Sequence, residues 1–311
     1  MDLIAMGSLI VDATIVSASI RTLGNQLYLK KGSKAEIDKL EFSLGGSAHN
    51  IAFGASRLGL KTGIIGCVGY DSFGKSIVER LRKEGVDTRL LKRAATKMTG
   101  YSTVLIGPDG DRSILVYRGA NDLIDSSDIT EKYFSGSRAF LFTSLTGDRS
   151  VKALQKAVRV AERKRMTIIA NPSINMIAKR RDELEELVQA SNIVIMNEEE
   201  ALEYTKSSHL TAALDKLVVG NELVVVTLGE RGSITFDGSR KYKQKAFKSR
   251  VLDATGAGDA FAAAFVRCYL KGLDIPYSLK FASSTSSLVL RSYGATNNFP
   301  SKVQIMELME S

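Results

Sequence analysis

Short apolar runs of β-type residues alternate along this chain with amphipathic stretches of helical length, and no other feature restricts the fold as strongly. Residues 3–6, 64–68, 139–143, 167–170, 193–196 and 223–227 read as strands without a polar face. Such strands must be covered on both sides. The segments 48–58, 75–84, 151–163, 181–189, 198–204 and 210–218 supply hydrophobic residues at helical spacing between them. The pattern therefore predicts an α/β fold with a mainly parallel sheet between helices.

Two regions depart from it. Residues 13–42 carry strand-like alternation, as in Asn25-Gln26-Leu27-Tyr28-Leu29, and 99–117 alternate around the turn Gly107-Pro108-Asp109-Gly110. They predict a small β lid built from about 13–42 and 97–118, outside the main sheet. No repeat or low-complexity linker divides the chain, so 1–311 reads as one domain with a lid. An exposed lid edge calls for a cover, and a homodimer through the lid is expected.

The net charge of +9 raises the question of a nucleic-acid partner. The basic residues are scattered, as in Lys152, Lys156, Arg159 and Arg163 along one helix, with no aromatic interleaving. No nucleic acid is expected. Cys67 and Cys268 are far apart in apolar surroundings and read as inert core thiols. His49 and His209 cannot build a His-rich metal site. There is no basic leader before the first apolar run and no run long enough to cross a bilayer. The expectation is a cytoplasmic enzyme of small molecules with no membrane partner.

The chemistry concentrates in Asp253-Ala254-Thr255-Gly256-Ala257-Gly258-Asp259-Ala260-Phe261. Small residues open a helix whose first N–H groups lack internal partners and carry the positive end of its dipole. That is an anion site, and Gly256, Ala257 and Gly258 let a ligand approach the backbone. Asp259, in the first turn, can receive a proton beside it. Phosphoryl transfer to a hydroxyl asks for positioning, charge neutralisation and such an acceptor. A capped glycine-rich helix start with no ligand is the plainer reading of Gly-x-Gly alone.

Gly69-Tyr70-Asp71-Ser72-Phe73-Gly74-Lys75-Ser76 satisfies the P-loop pattern literally. Against it, Tyr70 and Phe73 are bulky for a phosphate loop, and no later strand ends in a magnesium-binding Asp. Gly45-Gly46-Ser47-Ala48-His49-Asn50 is a second glycine turn before a helix, with Asn50 suited to a sugar hydroxyl. His49 reads as a packing or surface residue. Asp12, after the first strand, lies where open α/β sheets bind ligands. Asn197-Glu198-Glu199-Glu200 follows another strand, as an acidic helix start or as a phosphate and magnesium contact.

Together these motifs resemble the PfkB, or ribokinase-like, family of carbohydrate and nucleoside kinases over essentially the whole chain. The 45–50 and 253–261 segments look like its two signatures, and the segment 68–74 is similar to a family stretch that binds no phosphate. The resemblance implies a three-layer α/β/α sandwich with a β lid, ATP and Mg²⁺ as cofactors, and a set of roles. Asp259 is implied as catalytic base and Gly256–Gly258 as anion hole. Glu200 would organise Mg²⁺ through water. Asn197, Thr227 and Gly229 would contact ATP, with the adenine near Ser283, Ser287 and Gly294. Asp12, Gly46 and Asn50 would hold the acceptor, and Asp253 and Thr255 would border a monovalent cation such as K⁺. Ile10 and Ser47 depart from ribokinases proper and resemble adenosine-kinase-like members. The stretch around Arg118 is similar to sugar kinases, some acting on acidic sugars, so Arg118 joins the acceptor candidates. A sugar kinase leads, a nucleoside kinase on the same fold is the alternative, and a non-catalytic nucleotide- or sugar-binding regulator is the remote one.

Overall fold

Residues 1–24, 26–107 and 112–310 are described by the computed structural model. In chain order the strands are β1 (Leu3–Met6), β2 (Ile10–Val16), β3 (Arg21–Leu23), β4 (Gln26–Tyr28) and β5 (Lys39–Gly45). Next come β6 (Thr62–Gly69), β7 (Asp87–Ala94), β8 (Gly100–Ile106), β9 (Arg112–Tyr117) and β10 (Ala139–Phe142). The last five are β11 (Thr167–Ala170), β12 (Ile193–Asn197), β13 (Leu223–Thr227), β14 (Ser233–Phe236) and β15 (Lys241–Gln244).

The apolar runs form one sheet in the order β15-β14-β13-β12-β11-β10-β1-β6-β7. Pairing is parallel from β7 to β13, and only the β13–β14–β15 hairpins run antiparallel. Successive side chains of a strand point to opposite faces, and β1 shows the consequence. Leu3 and Ala5 join the core beneath helices Ser47–Arg57, Ala257–Leu270 and Ile275–Val289. Ile4 and Met6 join the opposite core, with Phe140, Leu154 and Ala157 under helix Asp148–Arg163. The predicted sandwich is thus realised, with a core on each face of the sheet. Among the described residues no helix is long and apolar enough to cross a membrane.

From β1 the chain winds outward through β6 and β7, and later returns to β1's other side to wind through β10 to β13. The order therefore reverses between β1 and β10. Crevices at the carboxyl ends of strands beside such a reversal are where open α/β sheets take ligands.

A second sheet, β5-β2-β8-β9, holds the strands expected in the lid. β2 pairs β5 antiparallel and β8 parallel. Most of 17–38 lies outside this sheet, with β3 and β4 forming a separate ribbon. The turn predicted at 107–110 lies, from Pro108 on, outside the described residues, as does Asn25. β9 is an edge strand exposed on both sides, with Leu115 at 64% and Tyr117 at 50% exposure. One position differs from expectation. Asp12, read as lying just after the first strand of the main sheet, sits within β2 of the second sheet, opposite Ser43 and Ser102. The chain re-enters strand conformation after only three residues, which local sequence disguises.

Candidate active site

The 253–259 segment folds as a stapled turn. Asp253 accepts the Thr255 N–H at 2.8 Å through Oδ1 and the Gly294 N–H at 3.0 Å through Oδ2. Arg112 of β9 lies 3.5 Å from Oδ1. Gly256 has φ of +76° and begins helix Ala257–Leu270. A Cβ there would collide with Ala295. Glycine is required twice over, for conformation and for space. No side chain caps this helix start; the Ala257 N–H reaches the Ala254 carbonyl at 3.4 Å, and the neighbouring N–H of Gly258 can serve an anion. At Gly258 a Cβ would meet nothing within 4 Å among the described residues. The backbone faces open space there.

Asp259 lies at the bottom of that space, half-buried yet densely surrounded. Its Oδ2 accepts from Asn50 Nδ2 at 2.7 Å, and the Ser47 hydroxyl also bonds to it. Burial pushes its carboxyl up to about 6. The Asn50 and Ser47 donors pull the other way, and the negative charge of Asp12 adds to the rise. The carboxylate is basic enough to accept a proton and acidic enough to be ionised at neutral pH.

Asn50 is itself held. Its Oδ1 lies 3.2 Å from His49 Nδ1. His49 is fully buried and stacked on Phe53, with ring centres 6.2 Å apart. Burial pushes its pKa down to about 4, against the Asn50 bond and together with the charge of Arg80. A neutral ring must therefore donate from Nδ1 to Asn50 Oδ1, which turns the amide NH₂ toward Asp259. Nε2, left unprotonated, has no partner among the described residues. Sequence reading took His49 for a packing or surface residue, and nothing in the local pattern revealed its orienting contact.

The acceptor candidates Asp12, Gly46 and Asn50 converge on the same region. Gly46 (φ +93°) packs its backbone against Ser8 and Ile10. Asp12 accepts a hydrogen bond from Ser102, and burial raises its carboxyl above the usual carboxylate range. Ser102 was missed in the sequence because only the β2–β8 register brings it to Asp12. Arg118 begins the 3₁₀ turn Gly119–Leu123, and its carbonyl accepts from Asn121 Nδ2 at 2.9 Å.

A cavity of about 120 Å³ opens beside Asp259, lined by Gly258, Ser47, Asn197, Glu200, Thr227 and Ser173 among others. Asn197 and Glu200 form a capping box. Asn197 Oδ1 accepts from the Glu200 N–H and Glu200 Oε2 from the Asn197 N–H, both at 2.8 Å. The acidic-helix-start reading is thus realised, while the carboxylate still faces the cavity. Burial pushes Glu200 up to about 7, with the charges of Asp259 and Glu199 adding to the rise. Two acids share this small cavity with no cationic side chain in its lining, which fits a divalent cation. No cluster of three or more His, Cys, Asp or Glu suited to a metal occurs among the described residues.

Other candidates lie apart from the cavity. Gly229 (φ +60°) is exposed in the turn after β13. Ser287 is buried, with its hydroxyl toward the Phe247 carbonyl at 3.4 Å and its own carbonyl accepting from Ser249 at 2.8 Å. Ser283 lies one turn earlier on the same helix and is also buried.

The P-loop-like segment is closed. Asp71 caps helix Ser72–Lys83 by accepting from Gly74 N at 2.7 Å, and its two oxygens also take the Thr99 hydroxyl and N–H, each at 2.7 Å. A Cβ on Gly74 would press into the Gly69 carbonyl. No room is left for a phosphate. Cys67 is buried, and burial pushes its thiol up to about 11, so it is no nucleophile.

The family described as pfkB family carbohydrate kinase matches residues 2–302. A 5-dehydro-2-deoxygluconokinase of Clostridium botulinum is 32% identical over 284 residues, covering 86% of this chain and 84% of the relative. A ribokinase of Haemophilus influenzae is 26% identical over 296 residues, 91% of this chain and 92% of the relative. An E. coli structure assigned to ribokinase II, in complex with ATP and Mg²⁺, superposes with a TM-score of 0.88 at 23% identity, covering 99% of each chain.

Proposed function

The chain belongs to the pfkB family of carbohydrate kinases, and from that premise we propose that it moves the γ-phosphate of ATP to a hydroxyl of a small sugar, with Asp259 receiving the hydroxyl proton. One observation carries the assignment of roles. Asp259, its pKa raised by burial and its Oδ2 fixed by Asn50, adjoins an uncapped helix start that opens on a cavity.

The acceptor lies on the Asp12 side, where Asn50, the Gly46 backbone and Asp12 offer one donor group and two acceptors to its hydroxyls. Asp259 takes the proton as the oxygen attacks. The N–H groups at Gly256–Gly258 stabilise the negative oxygens of the phosphoryl group in flight. Asn197, Thr227 and Gly229 contact ATP along the strand ends, and its adenine lies toward Ser283, Ser287 and Gly294. Glu200 would hold Mg²⁺ through water, and the ion would supply neutralisation of phosphate charge. A monovalent cation at Asp253 and Thr255 would have to compete with groups already there. Both Asp253 oxygens are engaged by backbone N–H groups, and the Arg112 charge stands alongside.

The relatives' names support a sugar-derived acceptor, a deoxygluconate or a ribose. A nucleoside would need a free aromatic face. Phe42 and Tyr117 of the lid, each 50% exposed, could offer one, so the choice of a sugar rests on the relatives and on the screen below. The exposed apolar lid, including Leu40, Phe42 and Leu115 at 50%, 50% and 64%, supports a homodimer through the lid, so light scattering should give twice the chain mass. The function is tested by measuring ATP consumption against pentoses, hexoses, deoxy sugar acids and nucleosides. Turnover with a sugar or sugar acid is expected. Turnover with nucleosides alone would overturn the acceptor assignment, and turnover with none would overturn the kinase reading.

A further inference from the structure

A second polar cleft, about 570 Å³ in volume, lies away from the catalytic cavity and shares no lining residue with it. Its walls are the last turns of helices Ser47–Arg57 and Ser72–Lys83 and the segment leading into helix Lys302–Glu310. Three cations line it, Arg57, Arg80 and Lys83, against one acid, Glu84. Glu84 is taken by Arg57 at 3.5 Å. Arg80 and Lys83 have no acidic partner among the described residues.

Arg80 is held in place. Its guanidinium lies over the Phe53 ring, 4.8 Å from the centre, and donates to the Thr296 carbonyl at 3.1 Å. A planar fork fixed in this way keeps further N–H donors for a ligand and loses little freedom on binding. The opposite wall carries amides. Gln304 uses its carbonyl oxygen to accept from the Ser301 N–H and hydroxyl at 2.9 and 3.0 Å, which leaves its NH₂ to offer. Asn298 lines the same cleft.

We propose that this cleft is a second ligand site, taking a small phosphorylated metabolite of about the size of a sugar phosphate. The net charge of the lining, about +2, suits a phosphate dianion, and a guanidinium fork suits its paired oxygens. The volume exceeds that of inorganic phosphate, and the amides suit the hydroxyls of an attached sugar. The rear wall connects the cleft to the active site. Thr296, bound by Arg80, follows Ala295, which packs on Gly256 at the catalytic helix start.

Calorimetric titration of the full chain, saturated with Mg²⁺ and a non-hydrolysable ATP analogue, tests this with ribose 5-phosphate and inorganic phosphate as probes. Wild type should bind ribose 5-phosphate, and the double variant Arg57→Glu, Lys83→Glu should lose about tenfold or more in affinity with basal phosphotransfer unchanged. Arg80→Lys, which keeps the charge and loses the fork, should fall between. Equal affinity in the wild type and the double variant would overturn the site, as would binding seen only without the ATP analogue. Inorganic phosphate binding as tightly as ribose 5-phosphate would overturn the sugar-phosphate assignment. The test is independent of which sugar the enzyme phosphorylates.

Discussion

Two glycine-bearing helix starts in this chain share a literal likeness and differ in every physical respect. At 69–76 the helix begins on Asp71, whose carboxylate occupies the N–H of Gly74 and the N–H and hydroxyl of Thr99. At 253–259 the helix begins on Gly256 with no side-chain cap, and Gly258 faces a cavity. Both satisfy the general demand that orphan N–H groups find partners. The first finds them in side chains of the protein, and the second has one weak backbone bond, from Ala257 to the Ala254 carbonyl at 3.4 Å, and no side-chain cap. A glycine pattern is therefore not a phosphate site until the destination of its N–H groups is known.

The largest contrast should appear on substitution of the charged residue each motif would need. Asp259→Asn should lower kcat by about 10²–10⁴-fold with ATP affinity retained. Lys75→Ala should leave kcat within about twofold, because among the described residues the Lys75 ammonium makes an exposed i,i+4 pair with Glu79 at 3.8 Å. Steady-state kinetics of both variants decide the matter, and the reverse pattern would restore the P-loop reading. Stability adds a check on sign. Folding raises the Asp259 pKa from 3.8 to about 6, so its ionisation weakens the fold as pH rises through that range. Asp259→Asn should raise Tm above pH 6, and the gain should vanish toward pH 4.

The glycines should separate the regions next. Gly258→Ala meets no neighbour and gains helix propensity, so Tm should hold or rise. Activity should nonetheless fall by about tenfold, as the added methyl stands where phosphate oxygens approach. Gly74→Ala strikes the Gly69 carbonyl and should cost about 1–3 kcal/mol of stability with modest kinetic change. Thermal melts paired with kcat/KM would blur the comparison only if both variants lost the same property.

His49→Phe gives the smallest effect and the finest test. The ring contact with Phe53 can persist while the bond to Asn50 Oδ1 is lost. With the Asn50 amide free to turn, kcat/KM should fall about threefold to tenfold. The acid limb of its pH profile, expected near 6 in the wild type, should move upward because Asp259 loses a donor that lowers its pKa. Unchanged limbs would reduce His49 to packing.

The parallel sheet, its covering helices and the 253–259 helix start were legible along the chain, as was the pair Asn197 and Glu200, because each rests on local periodicity or on a cap three residues long. Helix Ser72–Lys83 begins earlier than its apolar spacing suggests, since Asp71 caps it. What connects the parts of the site was not legible. Asn50 meets Asp259 across 209 residues, and Ser102 meets Asp12 across 90. The Gly69 loop is closed by Thr99, and Ser287 is engaged by the 247–249 segment. The sequence alone determined the layers and the glycine-bearing helix start, since both follow from residue spacing within one element. Tertiary structure alone decided which N–H groups stay free, how the Asn50 amide is turned and how far Asp259 is desolvated. Those properties depend on groups brought together from distant parts of the chain, and spacing within one element carries no record of them.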